Sequence, residues 1–408
     1  MNYNNNHIKR TLLLLTASLF SASSLFAQTS DIKELIRNAE TGNAEAQYNL
    51  GMCYYKGTGV GANYPNAAEW WQKAAEQGNV KAQDEIAMCY ANGIGLASND
   101  TTAVRWWQKA AEKGDSEAQY ELALCYEVGK VLPKSYAKAL ELYQKSADQG
   151  NAKAECCLGW CYKNGSGAAK DSVKEVSWFR KAANQNYPEA QYEYGMCYYD
   201  GVGVIQSYST AVDWFQKAAN QDLKDAQWSL GLCYYRGNGV PQDYSKAVEF
   251  FQKAADKGMS WAQCYLGMCY ENGSGVKRND TIAVRWFQRA ADQELAQAQC
   301  YLGLCYEEST GVAQDYTKAA ELFQDAAVQD HAWAQCYLGQ CYEFGHGVSQ
   351  NYADAYYWYQ KAAAKGVDFA EIICGDAAFR AQAANAKCYI SAKLDQLRSK
   401  IESKNIKK

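Results

Sequence analysis

A period of 36 residues runs through most of the chain and restricts its possible folds more than any other feature. The segment Ala46–Tyr54 recurs at this spacing over ten units without an insertion. One column of small residues shows the period: Gly51, Ala87, Ala123, Gly159, Gly195, Gly231, Gly267, Gly303, Gly339 and Gly375. Periods of roughly 20–50 residues indicate supersecondary units that stack on their neighbours. The 408 residues therefore predict one solenoid and not several globular domains.

Each unit is predicted to contain two helices. In the first helix Ala46, Leu50 and Tyr54 share one apolar face at helical spacing, and the helix ends at the glycine-rich segment 57–60. The second helix begins after a column of residues that cap helix N-termini. These are Asn63, Asn99, Ser135, Asp171, Ser207, Asp243, Asn279, Asp315 and Asn351. The pattern predicts an all-α fold, an α-solenoid of helix-turn-helix repeats.

The consensus A-Q-x-x-L-G-x-x-Y-x-x-G-x-G-V, followed by (D/N)-Y-x-x-A-x-x-W-(F/W)-x-K-A-A, resembles the Sel-one-like repeat (SLR). This repeat is a relative of the tetratricopeptide repeat, whose L-G-x-x-Y pattern is matched by Leu50, Gly51 and Tyr54. The resemblance covers about Asp31–Ala370. It implies a right-handed superhelix that acts as a scaffold and binds a protein or peptide on its concave face.

The two ends of the chain differ from the repeats. Residues 1–27 have a short basic stretch and then an apolar stretch too short for a spanning helix, which predicts a cleaved signal peptide, with a retained membrane anchor as the alternative. Residues 28–43 are expected to form an N-terminal capping helix, and residues 44–367 nine repeats. Residues 368–408 are expected to form a degenerate tenth repeat and a C-terminal capping helix, with a partner-binding or membrane-surface helix as the alternative to the cap. The protein is therefore expected to be secreted, either periplasmic or extracellular.

The chain has 16 cysteines. Nine of them fill one column of the first helix: Cys53, Cys89, Cys125, Cys161, Cys197, Cys233, Cys269, Cys305 and Cys341. Equivalent positions on packed helices lie about 8–10 Å apart, too far for a disulfide without distortion. We expect buried free thiols that pack as small hydrophobic groups. Some disulfides, or a metal or redox site, are the alternatives.

Signals for catalysis are weak. The chain has only three histidines, no C-x-x-C motif, and no phosphate-binding loop around its glycines. The segment Ser135–Lys138 fits the S-x-x-K motif of penicillin-binding enzymes, but Ser135 lies in the N-cap column and neither S-D-N nor K-T-G occurs. We therefore expect no enzyme, no catalytic residue, no cofactor and no metal site. A cell-envelope enzyme of the penicillin-binding or β-lactamase type is the alternative.

The resemblance also implies where a partner binds, because first helices line the groove of the tetratricopeptide fold. The matching columns supply the candidate partner-binding residues: Tyr48, Tyr55, Tyr120, Tyr192, Tyr199, Trp228, Tyr235, Trp261 and Trp333. Trp261 and Trp333 are expected to be exposed anchors, whereas Trp71, Trp107 and Trp214 of the second helices are expected in the core. The alternative is that the groove aromatics only pack between neighbouring helices.

The partner is expected to be a protein or peptide. The net charge of −4 comes with no basic cluster before the C-terminal tail, which argues against nucleic acid. No membrane span is expected after signal cleavage, and the mature chain is expected to be a monomer.

Overall fold

The structure is a computed structural model that describes residues 29–365. This part of the chain is all-helical, with 19 helices and no strand. Helix α1, Thr29–Glu40, precedes the repeats. The first helices of the repeats are α2 Ala44–Lys56, α4 Val80–Asn92, α6 Ser116–Val128, α8 Ala152–Asn164, α10 Pro188–Asp200, α12 Lys224–Arg236, α14 Ser260–Asn272, α16 Ala296–Glu308 and α18 Ala332–Phe344. The second helices are α3 Tyr64–Glu76, α5 Asp100–Glu112, α7 Tyr136–Ala147, α9 Ser172–Asn184, α11 Tyr208–Asn220, α13 Tyr244–Asp256, α15 Asp280–Ala291, α17 Tyr316–Val328 and α19 Tyr352–Ala364.

The described helices form two compact units, which divide between Gln206 and Ser207. Among the described residues, unit one contains α1–α10 and unit two contains α11–α19. Within each unit, every helix packs on the helices next to it in sequence. The predicted α-solenoid of paired helices is therefore confirmed. The predicted signal peptide and the predicted degenerate tenth repeat lie outside the described residues.

Every second helix begins at a side-chain cap, as the N-cap column predicts. Asn63 Oδ1 accepts a hydrogen bond from the backbone N–H of Asn66 at 3.0 Å. The same kind of bond is made by Asn99, Ser135, Asp171, Ser207, Asp243, Asn279, Asp315 and Asn351. Each cap satisfies an amide of the first turn that has no partner within the helix, and so fixes where the helix starts.

The small-residue column of the first helix lets an aromatic ring of the second helix lie against its backbone. A Cβ on Gly231 would lie 2.4 Å from the ring of Phe251, which is too close for two non-bonded carbon atoms. One buried aromatic residue of each second helix fills this place: Trp71, Trp107, Tyr143, Phe179, Phe215, Phe251, Phe287, Phe323 and Tyr359. These rings form the centre of the core in each repeat.

The expectation that Trp214 lies in the core is wrong. Phe215, the next residue, has no exposed surface and takes the core position, while Trp214 is half-buried. The ammonium of Lys217 lies 3.6 Å from the centre of the Trp214 ring. Residues three apart on a helix are neighbours on its surface, so this cation–π contact holds the indole on the outer side of α11.

The glycine-rich loop after each first helix rests on the second helix of the preceding repeat. Gly95 has a φ of +72°, and a Cβ on it would lie 2.2 Å from the backbone oxygen of Tyr64. Any other residue would meet both a left-handed backbone and a backbone clash. The loop therefore sets how closely one repeat approaches the next.

A buried glutamine ties three consecutive helices together in most repeats. Gln263 Nε2 on α14 donates to the backbone oxygen of Ala255 at 3.2 Å, at the end of α13. Its Oε1 accepts from Gln293 Nε2, just after α15, at 2.8 Å. The buried members of this column are Gln47, Gln83, Gln119, Gln191, Gln227, Gln263, Gln299 and Gln335. A buried amide that is left unpaired is costly, so these bonds favour one register between repeats.

Candidate functional site

Eight of the nine predicted partner-binding residues reach the surface of the first helices. Seven are half-buried: Tyr48, Tyr55, Tyr120, Tyr192 and Tyr199 in unit one, and Trp228 and Tyr235 in unit two. Trp261 in unit two is 45% exposed. We call the surface that carries these eight residues the first-helix face of the respective unit. It offers large aromatic rings to solvent at the sequence columns predicted for partner binding.

The expectation that Trp333 is an exposed anchor is wrong, because only 4% of its surface is accessible. Its indole lies in a hydrophobic cluster that includes Cys300 of the preceding first helix and Phe323 of α17. The centre of its ring lies 6.1 Å from that of Tyr337, one turn further along α18. Trp333 therefore contributes to the core of unit two, although it occupies the same sequence column as Trp261.

The half-buried aromatics of unit two contact one another across neighbouring first helices. The ring of Trp228 on α12 lies 4.9 Å from that of Tyr265 on α14, and the Tyr235 ring lies 5.7 Å from it. Trp228 also packs against Phe251, at 5.3 Å between ring centres. These residues therefore pack between neighbouring first helices, as the alternative to partner binding predicted. Their outer edges nevertheless stay accessible.

One set of aromatic residues on the first helices of unit two was not among the predicted partner-binding residues. Three tyrosines lie one position further along the first helix than expected: Tyr265, Tyr301 and Tyr337. Each packs on the core phenylalanine of the preceding repeat, as Tyr301 stacks on Phe287 at 5.2 Å with the rings 18° apart. Buried cysteines take the predicted column instead: Cys264, Cys300 and Cys336. The sequence contained a sign of this shift: residues 46–49 read A-Q-Y-N, whereas the equivalent residues of the later repeats read A-Q-C-Y, with the tyrosine one position further on.

The first-helix face of unit one carries half-buried carboxyl groups. Burial raises the pKa of Glu85 on α4 to about 7, with Lys56 opposing the shift and Asp115 and Glu117 adding to it. Burial likewise raises the pKa of Glu121 on α6 to about 7. These shifts arise because the folded chain removes the carboxyl groups from water while placing other acids beside them.

Ion pairs also cross this face of unit one. Lys153 Nζ lies 3.1 Å from Glu117 and joins α8 to α6. Lys163 Nζ lies 2.9 Å from the buried Glu193 and joins α8 to α10. Unit one therefore presents a face of mixed charge on which Lys153 and Lys163 are paired with acids of the same unit.

All 14 cysteines in the described part of the chain are free thiols. In the nine-membered column seven are buried, and Cys53 and Cys125 are half-buried. Burial raises the pKa of Cys233 and of Cys269 to about 12, so both are protonated near neutral pH. The thiolate is the reactive form of cysteine, so as protonated thiols these two side chains are weak nucleophiles.

The serine of the S-x-x-K motif forms the N-cap of α7. Ser135 Oγ accepts a hydrogen bond from the backbone N–H of Lys138 at 3.4 Å. The ammonium of Lys138 points elsewhere, 5.1 Å from the centre of the Tyr126 ring. Among residues 29–365 there is no group of three His, Cys, Asp or Glu side chains that could hold a metal ion. None of the helices described is long and apolar enough to span a bilayer.

The repeats match a known family over most of the chain. The Sel1 repeat model matches residues 44–79, 80–115, 116–151, 152–187, 188–223, 224–259, 262–295, 296–331 and 334–367. The chain belongs to the Sel1 repeat family. Sel1 repeat proteins generally act as protein-interaction scaffolds and are typically not catalytic.

Two solved structures are similar to this Sel1 repeat protein. The antigen c5321 of uropathogenic Escherichia coli, described as protective and as displaying an SLR fold, is 28% identical, with a TM-score of 0.57. The match covers 90% of this chain and 86% of that one. A Sel1 repeat protein from Oxalobacter formigenes is 31% identical over 76% of this chain and 89% of its own, with a TM-score of 0.55. No curated protein matches the chain.

Proposed function

We propose that this protein is an exported scaffold that binds a protein or peptide through its first-helix face, which is expected to be concave. The observation that carries the proposal is Trp261, a tryptophan 45% exposed on a first helix. A large apolar ring facing solvent does not stabilise the core, and tryptophan is among the residues that contribute most to protein interfaces.

The surroundings of Trp261 support a role in recognition. Tyr265 follows it one helical turn later on α14, and Trp228 of α12 packs against Tyr265. Because neighbouring rings hold these side chains, they lose little conformational entropy when a partner covers them. A prearranged group of aromatic rings is a suitable binding surface for an extended peptide or a helix.

Export is supported by the sequence of residues 1–27, with their basic start and short apolar stretch. The similar c5321 chain is described as a protective antigen, which is in keeping with a protein that antibodies can reach. Cell fractionation followed by N-terminal sequencing tests this part of the proposal. We expect a mature chain outside the cytoplasm that begins near Gln28; an intact chain in the cytoplasm would refute export.

Partner binding can be tested by capture from lysate of the source organism with the wild-type chain and two variants. Trp261→Ala removes the exposed ring, and Trp214→Ala is the matched control, since it removes a half-buried tryptophan from a second helix of the same unit. We expect Trp261→Ala to weaken capture by about tenfold or more, as for a central interface residue. Capture that responds equally to both variants would rule out the first-helix face as the binding surface.

A further inference from the structure

Three consecutive first helices of unit two, α14, α16 and α18, carry no lysine or arginine. Their charged residues are all acidic: Glu271, Glu307, Glu308 and Glu343. Unit one differs, because there Lys153 and Lys163 neutralise acids on neighbouring first helices. The negative charge on these three helices therefore has no basic partner on the first helices themselves.

Glu271 and Glu307 occupy the same position in adjacent repeats, and both are half-buried. Among the described residues neither carboxylate accepts a hydrogen bond or forms an ion pair. Arg278, the basic residue that acts on Glu271, is paired with Asp280 at 2.9 Å. Burial, with Glu308 and Asp280 adding to it and Arg278 opposing it, raises the pKa of Glu271 to about 7. A half-buried carboxylate without a donor is a costly arrangement that a bound cation would relieve.

Glu343, the third member of this column, differs from Glu271 and Glu307 because its carboxylate has a hydrogen-bond donor. It is buried and accepts a hydrogen bond from the hydroxyl of Tyr359 at 2.8 Å. The equivalent second-helix residues for Glu271 and Glu307 are Phe287 and Phe323, which have no hydroxyl. The two free carboxylates therefore result from a specific difference between repeats.

Aromatic rings lie beside these carboxylates. Tyr235 holds the place of Glu271 one repeat earlier, and its ring lies 5.7 Å from that of Tyr265, which holds the place of Tyr301. The same repeat geometry sets Glu271 next to Tyr301. Tyr265 lies in the same position one repeat earlier, and Trp261 is exposed one turn before it. Aromatic faces attract ammonium and guanidinium groups, most strongly when a carboxylate is near. Together they form an aromatic–acidic patch of Trp261, Tyr265, Glu271, Tyr301 and Glu307.

The spacing of the patch sets the form of its ligand. First helices of successive repeats contact each other through their rings, as Trp228 and Tyr265 do. Packed helices lie about 8–10 Å apart, so a step of about that size is expected from Glu271 to Glu307 and from Tyr265 to Tyr301. A polyproline II segment has three residues per turn and rises about 3.1 Å per residue, so every third side chain advances about 9 Å along one side. An extended segment that crosses the repeats would thus present every third residue to successive carboxylates.

The geometry points to an extended segment of a partner protein, with Arg or Lys at every third position, as the ligand of the aromatic–acidic patch. This inference rests on the proposed function and adds the class of partner to it. Each cation meets one glutamate and lies against one tyrosine, and the exposed ring of Trp261 covers the apolar side of the segment. The charge complementarity excludes acidic segments and nucleic acid from this surface.

The test measures the affinity of the full mature chain for labelled proline-rich peptides by fluorescence anisotropy. One peptide carries Arg at every third residue, a second carries the neutral analogue citrulline at the same positions, and a third carries Glu. A fourth has the same arginines at irregular spacing. We expect the regular Arg peptide to bind about tenfold tighter than each of the other three, because only it meets both carboxylates with a charge-assisted contact.

Two double variants locate the binding. Glu271→Gln with Glu307→Gln removes the two free carboxylates and is expected to weaken the regular Arg peptide by about tenfold. Glu249→Gln with Glu321→Gln is the matched control, because it makes the same change in net charge on second helices of unit two and should leave binding unchanged.

The outcomes separate this inference from the proposed function. Binding that is equal for all four peptides and lost in Trp261→Ala would overturn the basic partner but keep the binding face. No binding of any peptide, together with capture unaffected by Trp261→Ala, would overturn both. Binding of the Arg peptide only after Lys400, Lys404, Lys407 and Lys408 are changed to Gln would identify the C-terminal tail of this chain as the occupant, and would overturn a foreign partner.

Discussion

Glu294 and Gly258 hold equivalent places at the ends of successive second helices, and both have positive φ. The φ of Glu294 is +60°, a left-handed conformation that costs a residue with a Cβ roughly 1–2 kcal/mol. Its side chain is exposed, and nothing in the described structure offsets the strain. The repeat therefore keeps a left-handed backbone at this position even when the residue there is not glycine.

Replacing Glu294 with Gly should raise the free energy of unfolding by about 1 kcal/mol, since it removes this strain. Chemical denaturation monitored by circular dichroism measures the change. The reciprocal variant Gly258→Glu is the control and should lower the free energy of unfolding by a similar amount, because a Cβ there meets no neighbouring atom and only the backbone is strained. A Glu294→Gly variant that is no more stable than the wild type would contradict this account.

Trp333 and Trp261 share a sequence column but differ in burial, so their truncation should have opposite effects. Trp333→Ala leaves a cavity in a packed cluster and should cost about 3–5 kcal/mol of stability. Trp261→Ala removes an exposed ring and should change stability by less than about 1 kcal/mol. Thermal melting of the two variants gives the comparison, and equal losses would show that Trp261 is a core residue.

At the scale of the helix, the sequence predicted the start of every second helix because a cap is a local interaction between residues three apart. It did not distinguish Trp214 from Phe215, because which of two adjacent aromatics enters the core depends on the helix that packs against them. The role of Gln263 was missed for the same reason, since its partners lie in two other helices. Burial of Trp333 likewise depends on contacts between helices that a single column does not reveal.

The acidic first helices α4 and α6 predict an unusual dependence of stability on pH. In the folded chain the pKa values of Glu85 and Glu121 are about 7, above their ordinary 4.5, so between these values the folded state binds more protons than the unfolded state. Their contribution to the free energy of unfolding therefore falls as the pH rises from about 5 to about 8.

Thermal melting across this pH range tests the point. As the pH rises from about 5 to about 8, the melting midpoint of the wild type should fall by a few degrees more than that of the double variant Glu85→Gln, Glu121→Gln. Comparison with the double variant is needed because burial lowers the pKa of His331, whose contribution has the opposite sign. Parallel curves for the two proteins would show that these carboxyl groups do not titrate near neutral pH.

At the scale of the whole molecule, each unit is an array in which helices contact the helices next to them in sequence. Stability in such arrays is a sum of repeat terms and nearest-neighbour terms. The interfaces are also equivalent in kind, since Tyr265 packs on Phe251 as Tyr301 packs on Phe287. A repeat can therefore be removed if the flanking surfaces remain compatible.

Deletion of residues 260–295 removes one repeat from unit two and joins Met259 to Ala296 in the same register. The shortened chain should remain helical and melt cooperatively, because Tyr301 then packs on Phe251 in place of Tyr265. Deletion of residues 260–277, which removes a first helix alone, should abolish the fold of that unit. Circular dichroism of both chains gives the answer, and equal loss of structure would contradict nearest-neighbour stabilisation.

Photo-crosslinking in living cells of the source organism shows whether the first-helix face binds a protein partner. A photo-reactive amino acid is placed at Trp261 in one chain and at Trp214 of the second-helix side in another. The account predicts a discrete crosslinked protein partner from position 261 and none from position 214. Crosslinks of equal yield from both positions, or from position 214 alone, would contradict it.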